Sequence, residues 1–518
     1  EAATEAEVEV EAAPAATGFA IEVVEHGDGI YALDMRACPP QWNAALVDAL
    51  RRAILLVAAR PDLKAVLLHG EARFLPVDGD QAFFSQGAAL LPADCPAPVI
   101  AVVEGDAEGL AWLFASLCDF MLCAEQGRYR YAARGTPAEA ALFAVRWRLG
   151  DGAACVLTDT ARSGRELRES GLGLTVLPAH ELKAAALTLA RQLAAAPAVS
   201  LALLKQHMAQ ELRALAAGLT AGWDDGFKRA RGDAFSVAAP LPSAWNALLG
   251  DAAATTGKMP AMPVIRDGVR PIDVGSHVVR LDIDAQGVAV LTMCDQISRN
   301  GFTSPLVAGV SQAFAAVAAE PQARVLVITG DGSYFSSGGT RESLLAIQSG
   351  AARFTDIDIY SLPATLTIPV IAAMQGHGIG AGWALGMFCD LVVCSEQHTY
   401  RSPYMQYGFT PGAGATLAFP EKFGIDIARE ILFGARQYTG AELRDRGAPC
   451  EVVSAASVLP RALSLATQLA HSDRTALAAA KRVSVAHISV RRTQVLAQEQ
   501  AMHEQCFAGL ERTVLKHI

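Results

Sequence analysis

Two stretches decide how this chain folds: PVIAVVEGDAEGLAWLFASLCDFMLCAEQGRYRY (Pro98–Tyr131) and PVIAAMQGHGIGAGWALGMFCDLVVCSEQHTYRS (Pro369–Ser402). Laid side by side, they keep Pro, Gly, Trp, Cys-Asp and Tyr in register, so the chain carries an internal repeat of about 260 residues. The repeat extends outward. IEVVEHGDGIYALDM (Ile21–Met35) parallels VRLDIDAQGVAVLTM (Val279–Met293), each reading as two alternating strands around a Gly turn. RPDLKAVLLHG (Arg60–Gly70) parallels EPQARVLVITG (Glu320–Gly330), where a helix stops at Pro and a buried apolar strand stops at Gly.

Two copies of one fold are therefore expected. The domain reading is 1–16 as a flexible linker, 17–254 as the first copy, 255–274 as a linker bearing Pro260, Pro263 and Pro271, and 275–518 as the second copy. Each copy alternates strand, glycine turn and helix, then ends in helices: aliphatics recur at helical spacing over 184–219 and 462–507. The class is α/β.

Composition narrows the function. In 518 residues, 43 Lys and Arg stand against 53 Asp and Glu, a net charge of −10 that offers phosphate backbones and anionic lipid no general attraction. Nucleic acid and membrane are not expected partners. No apolar run reaches the ~18 residues of a spanning helix. The first residues are acidic and Ala-rich, unlike a signal peptide. Ten cysteines, scattered without a CxxC pair, read as buried thiols of a reducing cytoplasm, and no metal site is expected. The acidic Ala/Pro/Glu start suggests a piece of a longer synthase.

Chemistry gathers in the second copy. YFSSGGT (Tyr334–Thr340) and QGHGIGAGWALG (Gln375–Gly386) each follow a buried strand. Glycines at a strand end that opens a helix let a ligand approach the backbone and leave N–H groups unpaired. Two such segments converging would hold one developing oxyanion.

These motifs resemble the crotonase (enoyl-CoA hydratase/isomerase) superfamily: Phe335–Gly338, Pro369–Gly382, Cys389–Asp390 and Pro411–Gly414 stand where its trademarks fall. The resemblance implies two tandem ββα spiral domains, a trimer-based homo-oligomer or pseudo-oligomer, and an acyl thioester substrate in place of a bound cofactor. It puts the two oxyanion N–H donors on Gly339 and Ala381, next to Gly338. Hydratases of the family set two glutamates over the substrate; the matching positions here are Ala384 and Tyr404. An oxyanion hole without a base suits loss of CO2, in which the leaving carboxylate supplies the electrons.

Gln375-Gly376-His377, Tyr407–Pro411 and Met502-His503-Glu504 resemble the decarboxylase branch that acts in polyketide β-branching. This implies decarboxylation of a 3-methylglutaconyl group to 3-methylcrotonyl on the phosphopantetheine of an acyl carrier protein. His503, on a helix read as partly exposed, is a candidate for donating a proton or holding a carboxylate. Tyr404, Tyr360 and His377 are candidates for lining the substrate site, His377 with a structural hydrogen bond as the alternative. Arg341 and Arg353 are either solvated or paired with a substrate carboxylate. Hydratase or double-bond isomerase activity, and a non-catalytic scaffold module, remain the alternatives.

The first copy departs at the same places. It carries PVDGD (Pro76–Asp80) for SSGGT and Leu110 at the oxyanion position, and Leu113 and Ala133 replace the glutamates. An anion at Asp78 would oppose a developing enolate. The first copy is accordingly expected to be a degenerate crotonase-like domain that serves architecture.

Overall fold

A computed structural model describes residues 8–10, 21–35, 39, 41–70, 74–76, 82–130, 148, 161–169, 173–210, 212–213, 245, 248–249 and 266–509. The chain divides into two compact units, Glu1–Val237 with Gly424–Arg429, and Ala238–Phe423 with Glu430–Ile518.

In the first unit seven strands lie side by side in chain order: Val8–Val10, Glu22–Glu25, Ile30–Asp34, Ala65–Gly70, Val99–Val103, Phe120–Ala124 and Thr175–Leu177. The first three are antiparallel neighbours and the rest join in parallel. The second unit repeats the plan with Arg270–Ile272, Val279–Ile283, Val288–Met293, Val325–Gly330, Val370–Met374, Leu391–Ser395 and Glu451–Val453. Its hairpin and its parallel ladder have the same sense. The central strands VIAVV and VIAAM are buried along their whole length, as expected of parallel strands covered on both faces.

Composition concealed the edge of each sheet. Val8–Val10, read as linker, pairs with Val23–Glu25 as an antiparallel edge strand. Arg270–Ile272, also read as linker, pairs with Leu281–Ile283. Arg266, just before it, donates to Asp284 at 3.0 Å and to the Val288 carbonyl at 2.8 Å. Trp245, assigned to the first copy by sequence, packs in the core cluster of the second unit with Val290, Val327 and Leu469.

One polar pin recurs in both units. Asp119 accepts from the Val99 N–H at 2.8 Å and from Lys205, whose ammonium also donates to the Pro92 carbonyl at 2.8 Å. In the second unit Asp390 accepts from the Val370 N–H at 2.8 Å and from Lys481 at 2.6 Å, and Lys481 donates to the Pro363 carbonyl at 2.7 Å. Each carboxylate thus ties a strand start to a distant C-terminal helix. Both lysines and both aspartates are buried, which is tolerable because each charge is paired and hydrogen-bonded.

No single helix among the described residues is long and apolar enough to cross a membrane. The pair Ala179–Ala194 and Ala198–Met208 passes that test only jointly, across a 108° bend. Leu182, Ala186, Ala190 and Leu193 of the first helix are buried within the first unit.

Candidate active site

Two strand-to-helix turns of the second unit meet at a cleft. The first follows Tyr334–Ser336; the second follows His377–Ile379 and opens the helix Ala381–Met387. These short strands pair in parallel, which brings the turns together. Gly380 precedes the helix at φ 52, ψ −124, a conformation closed to residues with a side chain. Ala381 is then the first helical residue, where an N–H has no intrahelical acceptor. Gly338, at φ +72, lies so close to this turn that an added Cβ would stand 2.6 Å from the Ile379 carbonyl and 3.0 Å from the Ala381 nitrogen. Outside regular elements, no backbone hydrogen bond among the described residues engages the N–H of Gly339 or Ala381.

The cleft and the open solvent at its mouth together span about 690 Å³ of empty space. Gly339, Ala381, Tyr404 and Tyr360 line it; apolar walls come from Phe302, Leu344, Ile347, Phe354, Ile357 and Ile379. Among the described residues the lining contains no carboxylate and a single charged side chain, Arg353. No carboxylate among the described residues forms an ion pair with that guanidinium, which lies exposed in the 349–358 segment.

Tyr404 and Tyr360 are buried, and neither phenol oxygen has a hydrogen-bond partner among the described residues. A methyl placed on Gly380 would stand 3.3 Å from the Tyr404 hydroxyl, which sets that hydroxyl beside the Ala381 turn. Burial, and next the charge of Glu499, pushes the Tyr404 phenol well above its ordinary range; burial, then Asp358 and Glu499, does the same to Tyr360. Both phenols stay protonated.

His503 departs from expectation. It is 1 % exposed, not partly exposed, and lies behind the cleft wall with its ring 4.1 Å from that of Phe354. Its Nε2 is 2.8 Å from the Thr410 carbonyl, which can only accept, so the ring proton sits on Nε2. Burial lowers its pKa to about 4, against weaker support from hydrogen bonds to the Thr410 and Pro411 carbonyls. At neutral pH it is an uncharged imidazole without a proton to spare. Polar neighbours in the helix Ala486–Gly509 hid this: Gln500, Glu504 and Gln505 take the outer face, while Val495, Glu499, Met502, His503 and Cys506 form one buried stripe.

Glu499, one turn before His503, was not singled out from the sequence. It accepts from the N–H of Gly414 at 2.7 Å, the N–H of Thr416 at 3.0 Å and the Thr416 hydroxyl at 2.6 Å. It caps the helix Ala415–Gly434, and with His503 it holds both ends of the 410–416 turn, whose Ala413 reaches the cleft. Burial raises its pKa to about 7 against those hydrogen bonds. The signal was present: an acid at i and a histidine at i+4 interrupt an otherwise apolar helical face.

His377 is not among the described residues that line the cleft. Its Nδ1 accepts from the Thr399 N–H at 3.0 Å, and its ring meets those of Tyr334 and His398. Among the described residues no group of three His, Cys, Asp or Glu side chains is arranged to hold a metal ion.

In the first unit Gly109 repeats the special conformation, φ 56 and ψ −125, ahead of the helix Leu110–Leu117. Leu110 fills the position of Ala381 and is buried in the core with Leu113 and Phe114. Asp78 and Ala133 lie outside the described residues.

Comparison with known proteins identifies the family. The enoyl-CoA hydratase/isomerase family model matches residues 80–223 and 284–515, more than half of the chain. The chain belongs to this family. One relative, the bacillaene synthase decarboxylase PksI of Bacillus subtilis, is 43 % identical over 230 residues, which cover 44 % of this chain and 92 % of PksI. The 2,3-dehydroadipyl-CoA hydratase of Escherichia coli is 29 % identical over 236 residues, 45 % of this chain and 90 % of the hydratase. Among solved structures, the ECH2 decarboxylase domain of CurF from Lyngbya majuscula shares 37 % identity over 46 % of this chain and 96 % of its own, with a TM-score of 0.44. A protein from a dehydratase/decarboxylase couple in polyketide beta-branching shares 41 % identity over 46 % of this chain and 96 % of its own, with a TM-score of 0.45. The tandem family match accords with two crotonase-like α/β copies.

Proposed function

We propose that the second unit decarboxylates a β-branched, α,β-unsaturated dicarboxylic thioester of the 3-methylglutaconyl type, carried on an acyl carrier protein. One observation carries the reading: among the described residues the cleft joins two free N–H donors to a single cation and contains no carboxylate. Hydration needs a general base near the substrate, the role that hydratases of the family give to glutamates. Decarboxylation needs none, because the C–CO2 bond itself supplies the electron pair that moves into the thioester carbonyl. Gly339 and Ala381 hold the resulting oxyanion, and the apolar walls desolvate the carboxylate that leaves. Arg353 holds that carboxylate at the mouth before it enters. Similarity to PksI, named as a decarboxylase of a synthase, supports the reaction. The first unit is architectural, since Leu110, at the position matching Ala381, is buried in the core instead of lining a cleft.

The test is incubation with 3-methylglutaconyl carrier protein, followed by mass spectrometry for loss of CO2. Hydration, with a gain of water, or an unchanged mass overturns the reading. Arg353→Gln is expected to raise KM about tenfold or more for the dicarboxylic thioester, as loss of a charge-assisted pair implies, with kcat less affected.

A further inference from the structure

The geometry points to Tyr404 as the acid that delivers the proton to carbon after CO2 has left. This inference rests on the decarboxylase reading and supplies the step that reading leaves open. Loss of CO2 leaves a dienolate, and the product forms only when one of its carbons is protonated.

Few groups in the cleft have a proton to give. The Ser337 hydroxyl donates to the Ser298 carbonyl at 3.1 Å and that of Ser343 to the Thr340 carbonyl at 2.8 Å, so both protons are committed. Arg353 does not deprotonate in a protein. His503 stands behind Phe354 with its one proton on Thr410. Three phenols also line the cleft: Tyr407 is only half-buried, whereas Tyr360 and Tyr404 are buried, with hydroxyls that have no acceptor among the described residues. Of these, Tyr404 is the one set beside Gly380, the residue before the Ala381 N–H. A buried, unpartnered O–H aimed at a reacting centre costs stability unless a ligand accepts it.

The step balances. The C–CO2 bond breaks and its electron pair enters the conjugated system, giving CO2 and a dienolate whose oxygen is held by Gly339 and Ala381. The Tyr404 O–H bond then breaks, the dienolate π pair forms a C–H bond with that proton, and the thioester carbonyl returns. The phenolate takes a proton from water as product leaves, so each turnover consumes one solvent proton. Because burial and Glu499 both oppose the phenolate, the phenol keeps its proton until a carbanion as basic as the dienolate is present.

A positioned acid protonates one carbon; solvent protonates both ends of a dienolate. The experiment runs wild type, Tyr404→Phe and Tyr360→Phe in D2O with 3-methylglutaconyl carrier protein, reading CO2 release and the double-bond position and deuterium site of the product. Phenylalanine keeps the ring beside Phe354 and Phe409 and removes only the hydroxyl. Wild type is expected to give one isomer with one deuterium. Tyr404→Phe is expected to keep releasing CO2 but to give a mixture of α- and γ-protonated isomers, and Tyr360→Phe to keep a single isomer whatever its rate. Mixed product from wild type, a single isomer from Tyr404→Phe, or scrambling by Tyr360→Phe overturns the assignment. So does loss of CO2 release in a Tyr404→Phe protein that melts normally, because the hydroxyl would then belong to the bond-breaking step. Absence of CO2 release from wild type instead strikes the decarboxylase reading itself.

Discussion

Replacing Glu499 by glutamine sets two effects on the same carboxylate against each other. Burial favours its neutral form, while two backbone N–H groups at a helix start and the Thr416 hydroxyl favour the anion. A pKa raised from 4.5 to about 7 means that burial wins. The folded protein then holds this proton more tightly than the unfolded chain, so Glu499 lowers stability progressively as pH rises from 4.5 through 7. At about 1.4 kcal/mol per pH unit, the loss amounts to roughly 3 kcal/mol. Glutamine does not titrate, so the variant should gain about 3 kcal/mol relative to wild type between pH 4 and pH 8. Urea unfolding of both proteins across that range, read by tryptophan fluorescence, gives the difference directly and cancels groups common to both. The subtraction is needed because His503 acts in the opposite sense: with its pKa lowered from 6.5 to about 4, it contributes stability that is full above pH 6.5 and disappears towards pH 4. A flat difference, or wild type gaining on the variant as pH rises, would show that the helix start holds the carboxylate ionised and would refute the argument.

Two further outcomes test the scaffold. Gly338→Ala forces a Cβ to 2.6 Å from the Ile379 carbonyl at a positive φ, and should cost about 1–3 kcal/mol while opening the oxyanion turn, seen as a lower melting temperature together with lost turnover. Lys481→Met removes the cation paired with the buried Asp390 carboxylate and should cost about 3–5 kcal/mol in denaturant unfolding, whereas Lys205→Met should cost less, because the Arg429 guanidinium stays 3.7 Å from Asp119.

Much of this molecule was legible in its sequence because the repeat is written in residues with few alternatives. Pro98 and Pro369 start buried strands, Gly109 and Gly380 take a backbone conformation barred to other residues, and Asp119 and Asp390 accept from a strand start. Gly339, Ala381 and Tyr404 were singled out because they stand at fixed spacings from such markers, Tyr360 because it lies in a variable segment, and all four line one cleft. What could not be read was the far end of long-range contacts. Lys205 and Lys481 look like ordinary helical lysines until the fold brings them to an aspartate 86 and 91 residues away. His503 and Glu499 sit among glutamines, and only the packing of their helix on the 410–416 turn turns them inward. Arg353 was left between solvent and substrate because a segment with short helical turns has no period from which to read a direction.

The retained bend at Gly109 separates what the fold demands from what chemistry uses. With φ and ψ within a few degrees of those at Gly380, the first unit still makes the same sharp entry into a helix, although Leu110 and its neighbours fill the space beyond. That bend is therefore a requirement of chain routing, imposed wherever a strand must turn into this buried helix. A catalytic hole is then inexpensive to gain and to lose, because it depends on the side chains around a backbone curve that the fold has to make in any case.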